Sequence, residues 1–385
     1  MLPSSLIALL KRVSRSFYLS VRVLPEAVAA QIGLAYLLAR AADTIADTDL
    51  LPPSVRLELL TELDRACAGD VAAAARLTFS LERTLADSRT SGLPSSERTL
   101  LSVLGECLAL LEHSASNDRR LIAKVLGQLI AGMQTDLRRF PFAGSVSRAE
   151  QVVALRSLDE LDEYTYFAAG CVGEFWTEIC AVHLPGLTHL TEPLLLQRGV
   201  ALGKALQLTN VVRDMAADLR IGRCYVPEPL LLQFGLSPGR LFALTEETPQ
   251  SLVEARSLRL LTRELLRLGV GRCEEAWPYV LALPSQQVRL RLACVWPLLL
   301  ALDTLAMLGD VGSPLLTPSQ PVKVTRQSVY ALLATMSYQR TDFSQKWSCS
   351  TTCGSTARRP GCAPWWTRAR SRRRWRAMCS TRCTM

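Results

Sequence analysis

Tyr36-Leu37-Leu38-Ala39-Arg40-Ala41-Ala42-Asp43-Thr44-Ile45-Ala46-Asp47 is the stretch on which the reading of this chain turns. Tyr36, Arg40, Asp43 and Asp47 fall at i, i+4, i+7 and i+11, so on a helix they form one stripe down one face. The residues between them are apolar or small, where a solvated helix face would carry Lys and Glu. The stripe is therefore expected to look into a cavity inside the protein. The competing reading is a simple salt-bridged face, with Arg40 paired to Asp43 or Asp47.

A second stretch repeats the logic. Gln207, Asn210, Asp214 and Asp218 lie at i, i+3, i+7 and i+11, among Leu206, Leu208, Val211 and Val212. Arg213 precedes the first aspartate, and Arg220 and Arg223 follow the second. In both stretches the aspartates are four residues apart, so two carboxylates leave the same face and repel unless a cation sits between them. Mg²⁺ is held by a few carboxylates, waters and substrate phosphates, while arginine grips phosphate bidentately. Two such stripes on greasy helices point to a Mg²⁺ cage for a diphosphate. A third segment, residues 164–173, is helical in period but rich in small residues. Gly170 and Gly173 each weaken a helix by about 1 kcal/mol relative to Ala. Close approach of a neighbouring helix or of a ligand would explain them.

Outward from these motifs the chain reads as helix after helix. Apolar residues recur at three and four over residues 27–46, 54–68, 72–86, 97–113, 119–137, 157–182, 195–219, 252–268, 271–283, 286–308 and 325–336. Alternating strand patterns are scarce. Ser54 and Ser237 are expected N-caps. No mid-chain linker is long or polar enough to mark a boundary, so one all-α domain is expected over residues 1–340.

Of the 385 residues 49% are hydrophobic, ample for a core, and the net charge is +9. That charge is concentrated in the last 40 residues. Residues 346–385 hold nine Arg, one Lys and no acid, together with four of the seven Trp and five of the twelve Cys, and no Leu, Ile, Val, Phe or Tyr. The remainder carries −1 and does not read as a nucleic-acid binder. The segment 341–385 cannot build an ordinary core. It is read as a disordered tail dispensable for chemistry, either a basic arm attracted to anionic lipid or nucleic acid or an out-of-frame sequence. The seven Cys of the body include no CxxC pair, and a reduced compartment with buried thiols is expected. His113, His183 and His189 have no zinc-like spacing and are read as structural or exposed. No signal peptide is evident. Residues 292–308, the most apolar stretch, contain Pro297 and Asp303 and are read as a buried helix rather than a membrane span. The expected location is cytoplasmic, with peripheral membrane attachment as an option.

Four ordered blocks give the chain its resemblance to a known family: Ser14-Arg15-Ser16-Phe17-Tyr18, the Tyr36–Asp47 stretch, residues 164–173, and residues 207–218 continued by Gly222-Arg223-Cys224-Tyr225-Val226-Pro227. Over about residues 10–336 the chain resembles the squalene and phytoene synthases, the head-to-head trans-isoprenyl diphosphate synthases. The resemblance implies an isoprenoid-synthase-type helical bundle around a central cavity. It implies that Asp43, Asp47, Asp214 and Asp218, helped by Asn210, hold Mg²⁺ bridging to diphosphate. It also implies that Ser14, Arg15, Ser16, Tyr36, Arg40, Gln207, Arg213 and Arg223 contact diphosphate oxygens or metal-bound waters. Tyr164 matches a tyrosine linked to proton transfer during cyclopropane formation, and the small-residue helix would wall the prenyl tunnel. The second motif reads Asp-Met-Ala-Ala-Asp, without the acid many relatives place before its last aspartate.

Asp-Thr-Ile-Ala-Asp looks closer to the squalene side of the family than the Asp-Glu-Leu-Val-Asp of typical phytoene synthases. The favoured reaction is therefore condensation of two farnesyl diphosphates, through presqualene diphosphate, to squalene or a dehydro- or hydroxysqualene. Squalene itself would require NADPH, although no dinucleotide-binding glycine motif is present. The alternatives are a phytoene synthase acting on geranylgeranyl diphosphate and, in another class, a non-catalytic assembly homologue of the fold.

Overall fold

A computed structural model describes residues 2–14, 17–48, 50–86, 92–141, 149–187 and 192–310. The expected helix at 325–336 and the tail at 341–385 lie outside the described residues.

Helices follow in chain order: α1 (Ser4–Val13), α2 (Phe17–Val23), α3 (Glu26–Asp47), α4 (Pro53–Cys67), α5 (Val71–Ala86), α6 (Ser95–Ser102), α7 (Leu104–Glu112), α8 (Ser116–Arg139), α9 (Leu158–Thr165), α10 (Cys171–His183), α11 (Pro193–Arg220), α12 (Glu228–Gln233), α13 (Pro238–Ala243), α14 (Leu252–Ala282) and α15 (Val288–Asp310). Their apolar faces share one large core that runs from Leu6 to Leu308. The all-α expectation holds among the described residues, except for one two-stranded parallel ladder, β1 (Val153–Ala154) with β2 (Arg223–Cys224).

Three helices position the site. In α3, Leu34, Leu37, Leu38, Ala41, Ala42 and Ile45 are buried, which leaves the polar stripe as the face free to meet a cavity. Helix α11 begins with Pro193 at its first position, where a missing N–H costs nothing. It ends at Arg220, capped by Ile221, and Gly222 just beyond has a φ of 86°, in the left-handed region that favours glycine. That turn feeds β2 at once: Val153 N–H donates to Gly222 O at 3.2 Å and Leu155 N–H to Cys224 O at 3.1 Å. Helices α9 and α10 run into each other through a π-helical turn, Tyr166–Gly170. Ser157 caps the start of α9, accepting from Glu160 N–H at 3.1 Å.

Several boundaries differ from the periodicity. Residues 97–113 are two helices broken at Val103, whereas 252–268 and 271–283 are one, α14, through Gly269, Gly271 and Pro278. Ser237 is an N-cap as expected, but Ser54 is not. Helix α4 starts one residue earlier, on Pro53, with Pro52 as a cap that makes no side-chain hydrogen bond. Helix α15 holds a 22-residue window, Val288–Gly309, apolar enough to span a membrane by length and composition. It packs on α11, α14 and α2, and 61% of an apolar 18-residue stretch of it is buried inside the protein, as in a core helix. The seven body cysteines are all buried and unpaired by disulfides.

Gly170 and Gly173 face α11 rather than the cavity. A Cβ on Gly173 would fall 1.9 Å from Gly199 O, and one on Gly203 would fall 2.1 Å from Ala169 O. The small residues thus bring two backbones into contact, and Phe167 and Ala168 are the residues of that turn that reach the cavity wall. The segment thus does both things its small residues allow: its glycines form a helix–helix seam, and its Phe167 and Ala168 wall the cavity.

Candidate active site

The stripes of α3 and α11 open into one cavity of about 470 Å³. Of the residues anticipated from sequence, Arg40, Asp43, Asp47, Tyr164, Gln207, Asn210, Arg213, Asp214, Asp218 and Arg223 line it. Leu129, Met133, Leu137, Phe167 and Val211 supply apolar wall. Arg223, delivered by the short ladder, meets Asp47 of α3 at 3.5 Å and so ties the two motifs directly. Arg40 pairs with Asp43 on its own helix and donates to Glu97 Oε1 of α6 at 2.6 Å. Arg213 Nε donates to Asp214 Oδ1 at 2.8 Å. The salt-bridge reading of the first stripe and the cavity reading are therefore both realised.

Two anticipated residues sit elsewhere. Ser14 is buried and donates to Leu10 O at 2.5 Å, while Tyr36 stacks on Phe17 with ring centres 5.0 Å apart and reaches Val13 O at 3.4 Å. Neither lines this cavity. Tyr36 lies seven residues, roughly 10 Å along the helix axis, from Asp43. At that depth α1 and α2 cover the stripe. Arg15 and Ser16 fall outside the described residues.

The electrostatics are those of crowded carboxylates. Burial, then the nearby charge of Asp47, pushes Asp43 up to about 6 against the pull of Arg40. Burial, then Asp214, pushes Asp218 up to about 7, with Asp47 and Asp136 adding to the effect. Tyr164 is raised well above the ordinary phenol range, first by burial and next by Asp136, and so is a neutral phenol at physiological pH. Gln207 Nε2 donates to its oxygen at 2.9 Å, and the hydroxyl is also hydrogen-bonded with Tyr225. Its ring lies against Tyr225, with centres 4.1 Å apart and planes 23° apart.

Six carboxylates line the cavity (Asp43, Asp47, Asp136, Glu163, Asp214, Asp218) against four arginines (Arg40, Arg139, Arg213, Arg223), an excess of two negative charges when all are ionised. Such a pocket repels an anion unless a cation intervenes. Among the described residues no three acidic, His or Cys side chains already converge as a metal site. The donor set still fits a hard cation. It consists of oxygen ligands from two helices that repel one another, while the buried Nε–H groups of Arg40 and Arg223, without an acceptor beside them, suit an anion such as diphosphate.

The squalene/phytoene synthase family model matches residues 10–328. The chain belongs to the squalene/phytoene synthase family. This is a family of prenyltransferases. The chain is 27% identical to a squalene synthase of Eremothecium gossypii over 222 residues, 56% of this chain and 44% of that protein. It is 42% identical to a 15-cis-phytoene synthase of a Paracoccus species over 71 residues, 18% of this chain and 21% of that protein. The aligned part thus spans less than half the length of either relative. Among solved structures, TcSQS in complex with a ligand matches with a TM-score of 0.66 at 19% identity, covering 97% of this chain and 98% of that one. A dehydrosqualene synthase matches with a TM-score of 0.54 at 18% identity, covering 87% and 95%. These two similarities establish the shared helical isoprenoid-synthase fold.

In this family member, the sequence shows no sign of Asp136, Arg139 or Glu97 as site residues, and Tyr225, though part of the fourth block, has no role assigned from sequence. Gln128, Gly132, Asp136 and Arg139 do recur at helical spacing on α8. But Lys124, Arg119, Arg120 and Arg138 dress the same helix in charge, so no polar stripe stands out. Tyr225 depends on the β1–β2 ladder, which joins segments about 70 residues apart and has no local signal.

The raised carboxylates set a pH dependence. Asp43, Asp136 and Asp218, at about 6, 6 and 7, hold protons to higher pH in the folded chain than in the unfolded one, where a carboxylate titrates near 4. Between about pH 4 and 7 the folded state therefore binds more protons, and stability falls as pH rises through that window. Metal-free protein is expected to melt higher at pH 5 than at pH 8 in differential scanning calorimetry. Mg²⁺ should raise the pH 8 value more than the pH 5 value, since protons compete for the same oxygens. A metal-free melting temperature that climbs from pH 5 to pH 8 would contradict the carboxylate crowding.

Proposed function

We propose that the protein is a Mg²⁺-dependent prenyltransferase that condenses two prenyl diphosphates head to head. The observation that supports it best is one cavity in which two aspartate pairs, four arginines and a neutral tyrosine meet an apolar wall. Asp43, Asp47, Asn210, Asp214 and Asp218 would hold the metal, which when bound neutralises diphosphate and favours its departure. Arg40, Arg213 and Arg223 orient the diphosphate oxygens and stabilise the charge that develops on them. Leu129, Met133, Phe167 and Val211 keep water from the allylic cation. In the first half-reaction one substrate loses diphosphate and its C1 bonds to the double bond of the second. A proton then leaves, and its C–H electron pair closes a cyclopropane. Tyr164 relays that proton: its oxygen takes the substrate proton as its own hydroxyl proton passes to the released diphosphate, so the phenol is neutral before and after.

Farnesyl diphosphate, with a squalene-type product, is the favoured substrate on the Asp-Thr-Ile-Ala-Asp motif. Geranylgeranyl diphosphate, giving phytoene, is the second reading, favoured by the local similarity to the Paracoccus phytoene synthase. Incubation of the full chain with each diphosphate and Mg²⁺, with and without NADPH, followed by mass spectrometry of the hydrocarbon, tests both. A C30 product from farnesyl diphosphate is expected. A C40 product alone would establish the second reading, and no coupled product from either would reject head-to-head synthesis.

A further inference from the structure

Asp136 is a cavity carboxylate that belongs to neither aspartate motif. It sits in the last turn of α8, on a different helix from every residue of the two stripes, with 13% of its side chain exposed. Its Oδ2 accepts the hydroxyl of Tyr225 at 2.7 Å, and Arg139 lies at 3.8 Å from its Oδ1. Tyr225 is in turn wedged between Phe140, which meets it edge-on at 5.3 Å, and Tyr164, against which it stacks at 4.1 Å. Tyr164 is thus fixed on two sides: Gln207 of α11 holds its oxygen, and Tyr225 holds its ring. Loss of the Asp136 acceptor would remove one of the contacts that set the ring beneath Tyr164, alongside its packing on Phe140 and its hydrogen bonds with Arg223 and Tyr164.

We propose that Asp136 is a positioning residue for the first half-reaction, acting through its hydrogen bond to Tyr225 to hold Tyr164 where it meets the substrate. The role rests on the proposed head-to-head chemistry, in which only cyclopropane formation uses the Tyr164 hydroxyl. Burial of a carboxylate there, which pushes Asp136 up to about 6, is a cost the fold bears at a position where an apolar residue would pack. Asp136 touches Tyr225 through the hydrogen bond and acts on Tyr164 by its charge as well, and Asp136→Asn, which removes the charge and keeps an acceptor, separates the two.

The test compares Asp136→Ala, Asp136→Asn, Tyr225→Phe and the double variant Asp136→Ala/Tyr225→Phe with wild type. Each is assayed in two halves, prenyl diphosphate to cyclopropyl diphosphate and supplied cyclopropyl diphosphate to hydrocarbon, with Tyr164→Phe as reference. Misplacing a reacting group by a fraction of an ångström costs about 10-fold or more. Asp136→Ala and Tyr225→Phe should lose that much kcat in the first half, with KM and the second half little changed. Asparagine keeps an acceptor oxygen, so Asp136→Asn should recover most of the rate. The double variant should be no worse than either single one, since both break one connection. Thermal melts of all four identify any loss that is unfolding. Equal losses in both halves, additive losses, or an asparagine no better than alanine would overturn the proposal. A wild type that forms no cyclopropyl diphosphate from any prenyl diphosphate would reject the functional reading, and this role with it.

Discussion

Replacing Asp214 with alanine should lower turnover by at least about 10²-fold while the protein stays folded. Asp214 lies on α11, half-exposed to the cavity, and holds Arg213 through two contacts. Its removal deletes a metal oxygen and releases the arginine from its orientation, so the developing diphosphate charge loses two sources of stabilisation at once. The fold should not suffer, because Asp214 is one of several carboxylates that repel one another. Asp218 in particular is pushed upward by it. The melting temperature without metal is expected within a few degrees of wild type, while the stabilisation by Mg²⁺ at pH 8 should shrink. Asp43→Ala should behave alike from the α3 side. A folded Asp214→Ala protein with near-normal turnover would remove the aspartate pairs from the chemistry.

The largest stability effect is expected at Gly173. A Cβ there would sit 1.9 Å from Gly199 O and 2.6 Å from Gly199 C, both backbone atoms of α11 that no rotamer change can move aside. Helices α10 and α11 would have to part by more than an ångström. Overpacking of this kind costs about 1–3 kcal/mol and occasionally more, and Gly173→Ala should reach or pass the upper end. The matched control is Gly271→Ala. Gly271 lies inside α14 with nothing within 4 Å of the added atom. There the same change should stabilise by about 0.5–1 kcal/mol, the helical preference of Ala over Gly. Urea denaturation of the two variants checks both signs. Gly173→Ala should also impair activity, because the seam sets the distance between Tyr164 and Gln207, which lie on its two sides. A Gly173→Ala protein as stable as wild type would show that the seam is looser than the contact implies.

Much of the cavity's chemistry is legible in the sequence, because its two richest helices carry it as periodicity. Asp43 and Asp47, and Asp214 and Asp218, announce themselves as polar stripes on otherwise apolar helices, and a helix turns a spacing of four into a shared face by covalent geometry alone. Tyr164 takes its role from the family resemblance rather than from spacing. Its neighbours leave no such trace. Asp136 hides among the charges of α8. Glu97 stands on α6, 57 residues from the Arg40 it holds.

Periodicity also overreaches in two places. It puts Tyr36 on the same stripe as Arg40 and the aspartates, which is right in angle. Yet angle says nothing of depth along the axis, and at the depth of Tyr36 the stripe faces Phe17. It makes the glycines of 170–173 equally compatible with a ligand and with a helix, and the deciding partner, Gly199, is 26 residues away from Gly173 in the chain.

What the sequence alone determined about this protein is the all-α class, the two carboxylate faces and the family, because each rests on short-range spacing or on ordered local blocks. What only the tertiary structure decided is which faces meet. The pairing of Asp47 with Arg223, the Asp136–Tyr225–Tyr164 contact and the α10–α11 seam all join segments far apart in the chain. Such contacts arise from packing one core among many helices, and no local propensity encodes which surface will lie against which.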